Sequence, residues 1–398
     1  MMSRFGRLAC LPLFVCAGMA WTAGIAAQST SPVAFVYVAT VNTTNGTGNN
    51  VVGYSASADG KLTTIPGSPW ADQIYWMAAT NSYLFGSDNI ANDKIQYIFS
   101  YRIESNGALK YVGATDIQDK GHGNVCNDGQ FLTLDHTGAY LYEQVAFANC
   151  GSGSAYESWK LNKSSGLLDY LGTSKPNDNS TNIYPLTIAA DNLYAYAAAC
   201  GENGEPTGNG YKIQSDGDLL DLAFTASMPS GQQTTGSSSA CVEYVTADPT
   251  NHLAAAVSWT GSGEPTQIAT FAINTKDGSV TTNSTPSNMP KVAVGTVRWM
   301  SMSPSGKVLA VAGGSGLQLF HFNPSGQASK WTGLLTSQDI IMCSWDHASH
   351  LYALVPGGPG TTNGGWLHVY TVNASGATEA AGSPYSIPLG KSLLVQSR

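Results

Sequence analysis

Seven short phrases in the chain share one grammar, and their recurrence constrains the fold more than any other feature. "YSASADGKL", "YRIESNGAL", "WKLNKSSGLL", "YKIQSDGDL", "FAINTKDGSV", "FHFNPSGQA" and "YTVNASGAT" each run from an aromatic residue through alternating apolar positions into a polar turn with a glycine. The glycines are Gly60, Gly107, Gly166, Gly217, Gly278, Gly326 and Gly376, so the unit returns at intervals of roughly 50 residues. Alternation at period two, then a tight turn, then a second strand, reads as a β-hairpin whose glycine takes positive φ.

A second hairpin phrase lies between these units. It is clear in "LTLDHTGAYLYEQV", "LTIAADNLYAYAAA", "MSMSPSGKVLAVAG" and "CSWDHASHLYALVP", and looser in "MAATNSYLFGSD" and "YVTADPTNHLAAAV". Two hairpins per period supply four strands, which is one blade of a β-propeller. The count is uneven: seven outer hairpins but six complete inner ones. "FVYVATV" opens the series without an inner partner, and "KSLLVQS" ends it as a spare strand. The economical solution is an all-β, seven-bladed propeller in which the C-terminal strand completes the N-terminal blade, leaving no open sheet edge. Ring closure also explains why "YSASADGKLTTIPGSPW" and "YTVNASGATEAAGSPY", near opposite ends of the chain, share a Gly-Ser-Pro-aromatic turn. They are neighbours in a circle.

Composition sets the class of partner. Of 398 residues only 11% are charged, about half the usual share, which suits hydroxyl-rich strands and turns better than helices. The formal net charge is −8 and no basic cluster appears, which argues against nucleic acid or an anionic membrane surface as partner. The first segment, "MMSRFGRLACLPLFVCAGMAWTAGIAAQ", carries Arg4 and Arg7, then an apolar run, then small residues around Gly24–Ala27. It reads as a secretory signal peptide over residues 1–27, with an uncleaved membrane anchor as the alternative. Residues 28–398 then form a single propeller domain, exported to the periplasm or the medium, with no membrane span and expected to be a monomer.

Export sets how the cysteines are read. In an oxidising compartment Cys126 is expected to pair with Cys150, and Cys200 with Cys241, leaving Cys343 buried and free; five reduced, core-packed thiols are the alternative. No Cys/His spacing suggests a metal site, and neither metal nor cofactor is expected.

"FVYVATVN", "SPSGKVLAVAGGSGLQLFHFNPSG" and the "IPGSPW" turn resemble the seven-bladed lactonase-like propellers, the 6-phosphogluconolactonase type, and the related YVTN-type surface propellers. The resemblance covers nearly the whole chain after residue 27 as architecture. It implies a channel mouth at which enzymatic members carry a His, a Glu and Arg residues at inner-strand entrances. "TVRWMSMSPSGK" matches the arginine position with Arg298, although Val297 stands where the pattern has Pro. The His position is occupied by Gln130, with His122 in an offset loop, and the Glu position falls on Ser258 and Trp259.

The candidate catalytic residues are therefore Arg298, as the charge beside a developing oxyanion, and His122 or Glu243 as base. Gln130, Trp259 and Asp339 are candidate ligand contacts. His136, His252, His347 and His350 belong to inner hairpin turns on the opposite face. Long polar loops such as "DIQDKGHGNVCNDGQ" and "MPSGQQTTGSSSAC" suit a small polyhydroxy or lactone ligand. Two functions follow: an exported lactone hydrolase working without a metal, or a non-catalytic propeller that binds a glycan, cell-wall component or protein. The second draws on the missing His and Glu and on an expected scarcity of charge around the channel.

Overall fold

The computed structural model describes residues 31–41, 49–71, 74–87, 97–117, 128–146, 154–174, 185–200, 206–225, 240–259, 265–323, 325–357 and 364–398. Every regular element among them is a β-strand, and Pro32–Arg398 form one compact unit. The strands make seven antiparallel sheets arranged as blades. Blades 2 to 7 each use four consecutive strands, with innermost strands Trp76–Ala79, Asp128–Leu134, Thr187–Ile188, Ala240–Ala247, Val297–Met302 and Met342–Trp345. Blade 7 adds a short strand, Tyr385–Ile387, against Gly365–Asn373.

Blade 1 is built from both ends of the chain. Its innermost strand is Leu389–Ser397, paired antiparallel with Ala34–Val41 from Ala34↔Ser397 to Val41↔Leu389. The shared phrase at the two ends has the same geometry in both copies. Gly67 and Gly382 each have φ 88°, each is followed by a cis Ser–Pro bond, and Ser68 and Ser383 each accept a backbone N–H at 2.9 Å.

The turn glycines hold the blades together. Gly60, Gly107, Gly166, Gly217, Gly278, Gly326 and Gly376 all take positive φ, between 74° and 142°. At six of the seven junctions, a ring near the start of a blade's second strand lies against the turn glycine of the next blade. A Cβ on Gly217 would stand 2.0 Å from the Tyr140 ring, one on Gly166 2.3 Å from Tyr83, and one on Gly278 2.5 Å from Tyr194. Phe35 meets Gly107, His252 meets Gly326 and His350 meets Gly60 in the same way. Where the strand carries a second tyrosine, its hydroxyl caps the same turn: Tyr37, Tyr142 and Tyr196 donate to the carbonyls of Gly107, Gly217 and Gly278 at 2.7, 3.0 and 2.8 Å. Glycine is thus needed twice over, for the left-handed backbone and for the space.

These roles predict unequal costs. Gly217→Ala should lower unfolding free energy by about 3 kcal/mol, combining backbone strain with overpacking against Tyr140. Gly376→Ala, whose Cβ would meet nothing within 4 Å, should cost only its backbone strain, about 1.5 kcal/mol. Urea denaturation of the two variants side by side checks the difference.

Candidate functional site

All seven inner strands line a central channel of about 390 Å³. One face of it is chemically distinct because of how four of those strands are bulged. The register slips between Gly129 and Leu132, between Val242 and Tyr244, between Val297 and Trp299, and where Gly390 and Ser392 pair across Ala39/Thr40. The extra residues at these slips include Gln130, Glu243, Arg298 and Lys391. A bulge places two residues opposite one and re-aims a side chain that regular alternation would send into a blade interface. Three of these four were identified from sequence; Lys391 was not.

Aromatic rings follow the bulged positions. Phe131 and Trp299, from blades 3 and 6, approach with ring centroids 5.8 Å apart. Trp76 packs on Phe131 at 4.1 Å and Tyr244 on Trp299 at 5.4 Å. Tyr75 extends the series at 5.2 Å from Trp76, and the Lys391 ammonium stands 6.0 Å from its ring centroid. The mouth therefore combines a bridge of ring faces with amide, carboxylate, guanidinium and ammonium groups. The residues that line the channel itself are uncharged, and Glu243, Arg298 and Lys391 stand at the bulges beside it.

Glu243 and Arg298 sit on adjacent inner strands but are not paired. The Val297 amide donates to Glu243 Oε2 at 3.2 Å, so the carboxylate lies one residue from Arg298. Arg298 Nη2 instead bonds Asp339 Oδ2 at 3.0 Å, with both side chains substantially exposed (46% and 38%). An ion pair this open contributes less than about 1 kcal/mol to stability, so it is better suited to orienting the guanidinium than to holding the fold. Asp339 lies in the segment joining blades 6 and 7. Beside it, Gln338 Oε1 is bonded by His368 Nε2 at 2.6 Å, and His368 Nδ1 by Glu379 Oε1 at 2.7 Å. That chain of contacts fixes the loop carrying Asp339.

Burial raises the Glu243 carboxyl above its ordinary range, against hydrogen bonds from Ser258 and the Val297 amide that lower it. The second-strand position where the family pattern looks for a glutamate is thus occupied by Ser258, which bonds a glutamate supplied by the inner strand.

Of the other expected residues, Gln130 is half-buried, and its carbonyl accepts from Ser87 Oγ at 3.2 Å. His122, Cys126 and Cys150 lie outside the described residues, as do most of the mouth loops, and so do the side chains of Trp259 and Cys200. Cys241 is disulfide-bonded. Cys343 is free and fully buried, and burial pushes its thiol well up, so it is not a nucleophile. No group of three or more metal-ligating side chains occurs among the described residues.

Comparison with known proteins agrees at the level of fold. No protein-family model and no curated protein matches the sequence. Among solved structures, a candidate 6-phosphogluconolactonase of Bacteroides uniformis superposes with a TM-score of 0.69 at 12% identity, covering 92% of this chain and 100% of that one. The periplasmic gluconolactonase of Pseudomonas aeruginosa gives 0.66 at 14%, over 92% and 99%. A Lactobacillus plantarum protein gives 0.67 at 15%, over 92% and 99%. The likeness is one of fold. This chain shares the architecture of the lactonase-type propellers, and its mouth must be judged by its own residues.

A second perturbed carboxyl, Glu143, is structural. Glu143 and Glu157 are directly opposed on neighbouring strands of blade 3, and both are buried. Glu143 shares its strand face with Leu141 and Val145, which pack against Ala78 and Phe85 of blade 2. Both of its oxygens lack a hydrogen-bond partner among the described residues. Burial, and then the Glu157 charge, push its carboxyl well above the ordinary range. The native state therefore keeps a proton that the unfolded chain releases near pH 4.3, and stability falls as pH rises above that value, by up to about 1.4 kcal/mol per pH unit. Glu143→Gln should raise the Tm more at pH 8 than at pH 5; equal shifts at the two pH values would contradict a protonated Glu143.

Proposed function

We propose that the chain is an exported lactonase-like propeller that opens a sugar-derived or related lactone at the channel mouth. The observation that carries this reading is the juxtaposition of Glu243 and Arg298 through the Val297 amide, with the guanidinium held by Asp339 and so leaving the carboxylate unpaired by it. A carboxylate whose proton affinity is raised by burial is a better base than an exposed one.

In this mechanism Glu243 takes a proton from water as the water oxygen bonds to the lactone carbonyl carbon. Arg298 stabilises the negative charge that develops on the carbonyl oxygen. The tetrahedral intermediate collapses with cleavage of the ring C–O bond, and the departing alkoxide takes the proton back from Glu243. The product is the open hydroxy acid. The step consumes one water and no redox partner. Lys391 adds positive charge for the carboxylate formed, and the faces of Trp76, Phe131 and Trp299 suit the C–H surface of a sugar ring.

The same ring faces favour a second reading, a propeller that holds a saccharide without cleaving it. Pairing of pH-stat assays with binding separates the two. Hydrolysis of a panel of aldonolactones and aromatic-derived lactones should fall at least about 100-fold in Glu243→Gln and in Arg298→Ala. Asp339→Asn should lower turnover less, by loosening Arg298. Saturable saccharide binding with no turnover of any lactone would leave the non-catalytic reading.

Export rests on the N-terminal pattern of Arg4, Arg7, an apolar run and small residues, together with the disulfide at Cys241, which suits an oxidising compartment. Among the described residues no helix is long and apolar enough to cross a membrane. Intact mass of the protein expressed in a secreting host should show removal of residues 1–26 or 1–27; retention of the full N-terminus would point to the anchor instead.

A further inference from the structure

Six inter-blade junctions are filled by a ring against a turn glycine. The seventh is not. Between blades 6 and 7 the second strand begins Lys307-Val308 where the others present Tyr, Phe or His, and a Cβ on Gly376 would meet no atom within 4 Å. At this junction lies a cavity of about 390 Å³, on the face opposite the channel mouth, lined by Val308, His321, Trp331, Trp345 and Val372 and by Ala374 of the Gly376 turn.

The walls are prepared for an aromatic group. Trp331 stacks with His321 at 4.3 Å and an interplanar angle of 27°. Trp345 is buried, and its indole N–H is satisfied by the Ser301 carbonyl at 3.1 Å, so the site makes no demand on that polar atom. Lys307 puts a positive charge at the rim: it is exposed, as are His321 and His347, and it has no ion-pair partner among the described residues. The one carboxylate in the lining, Asp346, is fully buried and engaged by the His350 amide and ring, by the Ala348 amide and by the Tyr352 hydroxyl. It is not available to neutralise the rim.

We propose that this junction is a second ligand site, taking a planar aromatic carboxylate. The ligand's ring occupies the place that a tyrosine side chain holds at the neighbouring junctions, against Trp331 and the Gly376 turn, and its carboxylate is met by Lys307. This site is independent of the chemistry at the channel mouth.

Two variants test it from opposite directions, using 2-naphthoate and its neutral counterpart 2-naphthamide as probes in calorimetric titration. Val308→Tyr restores the missing ring; it should abolish binding of both probes while raising the Tm. Lys307→Gln changes an exposed residue and should weaken naphthoate about tenfold while leaving naphthamide unchanged. Naphthoate should still bind Arg298→Ala. Loss of binding in Arg298→Ala would place the probe at the channel mouth and overturn the proposal. So would naphthoate affinity unchanged in both Val308→Tyr and Lys307→Gln, or no saturable binding by the unaltered protein at millimolar probe. Lactone hydrolysis, active or not, bears on neither result.

Discussion

Pairing of the last strand with the first is the interaction on which the other features depend. The ladder between Leu389–Ser397 and Ala34–Val41 supplies blade 1 with its inner strand, and only a complete inner ring encloses the channel. The closing strand is also anchored on both sides. Gln396 bonds Asn81 of blade 2 at 2.9 Å and Ser392 Oγ bonds the Tyr75 carbonyl; on the other side, the His347 amide of blade 7 donates to Ser397 Oγ at 3.1 Å. At its end the Arg398 amide donates to the Val33 carbonyl at 2.9 Å, and its guanidinium lies 4.9 Å from the Phe35 ring centroid. Closed in this way, blade 1 leaves as its outer edge only the three-residue strand Leu62–Thr64, too short to invite pairing with another chain.

Closure gives the ring a repeating geometry, and the useful features are departures from it. A regular inner strand would alternate its side chains between the two adjacent blade interfaces, with nothing left to face a ligand. Each bulge gives up ladder regularity to aim a polar residue at the mouth. The junction between blades 6 and 7 departs in the other sense, by lacking a ring that its counterparts possess. In both cases the surrounding repeat supplies rigidity, so the local irregularity costs little elsewhere.

How much of this was legible in the sequence follows from the same distinction. The hairpins, the positive-φ glycines and the closing strand were readable because period-two alternation and turn glycines are local signals. Arg298, Glu243 and Gln130 were readable because each lies near the start of a recognisable inner strand. Lys391 was not, since "KSLLVQS" stands alone at the end of the chain and has no hairpin phrase to fix its register. The burial of Glu143 and Glu157 has no local signal in "YLYEQVA" and "SAYESWKL", because it comes from a propeller blade being covered on both faces. The empty junction was invisible for a different reason: Val308 is an ordinary strand residue until the ring that belongs opposite Gly376 is known from the other blades.

The contrast between the two perturbed glutamates also bears on what the mouth can do. Glu143 is sealed beside a second carboxylate, and a group that no substrate can reach has no catalytic use whatever its proton affinity. Glu243 is only half-buried, and its carboxylate is bonded by the amide one residue before Arg298, whose guanidinium is already engaged by Asp339. Had Arg298 bonded Glu243 directly, the positive charge would have held the carboxyl low and ionised, a weak base locked in an ion pair. Asp339 takes that place instead. It orients the guanidinium while leaving Glu243 governed by burial, and that division of labour between two carboxylates suits the proposed opening of a neutral cyclic ester.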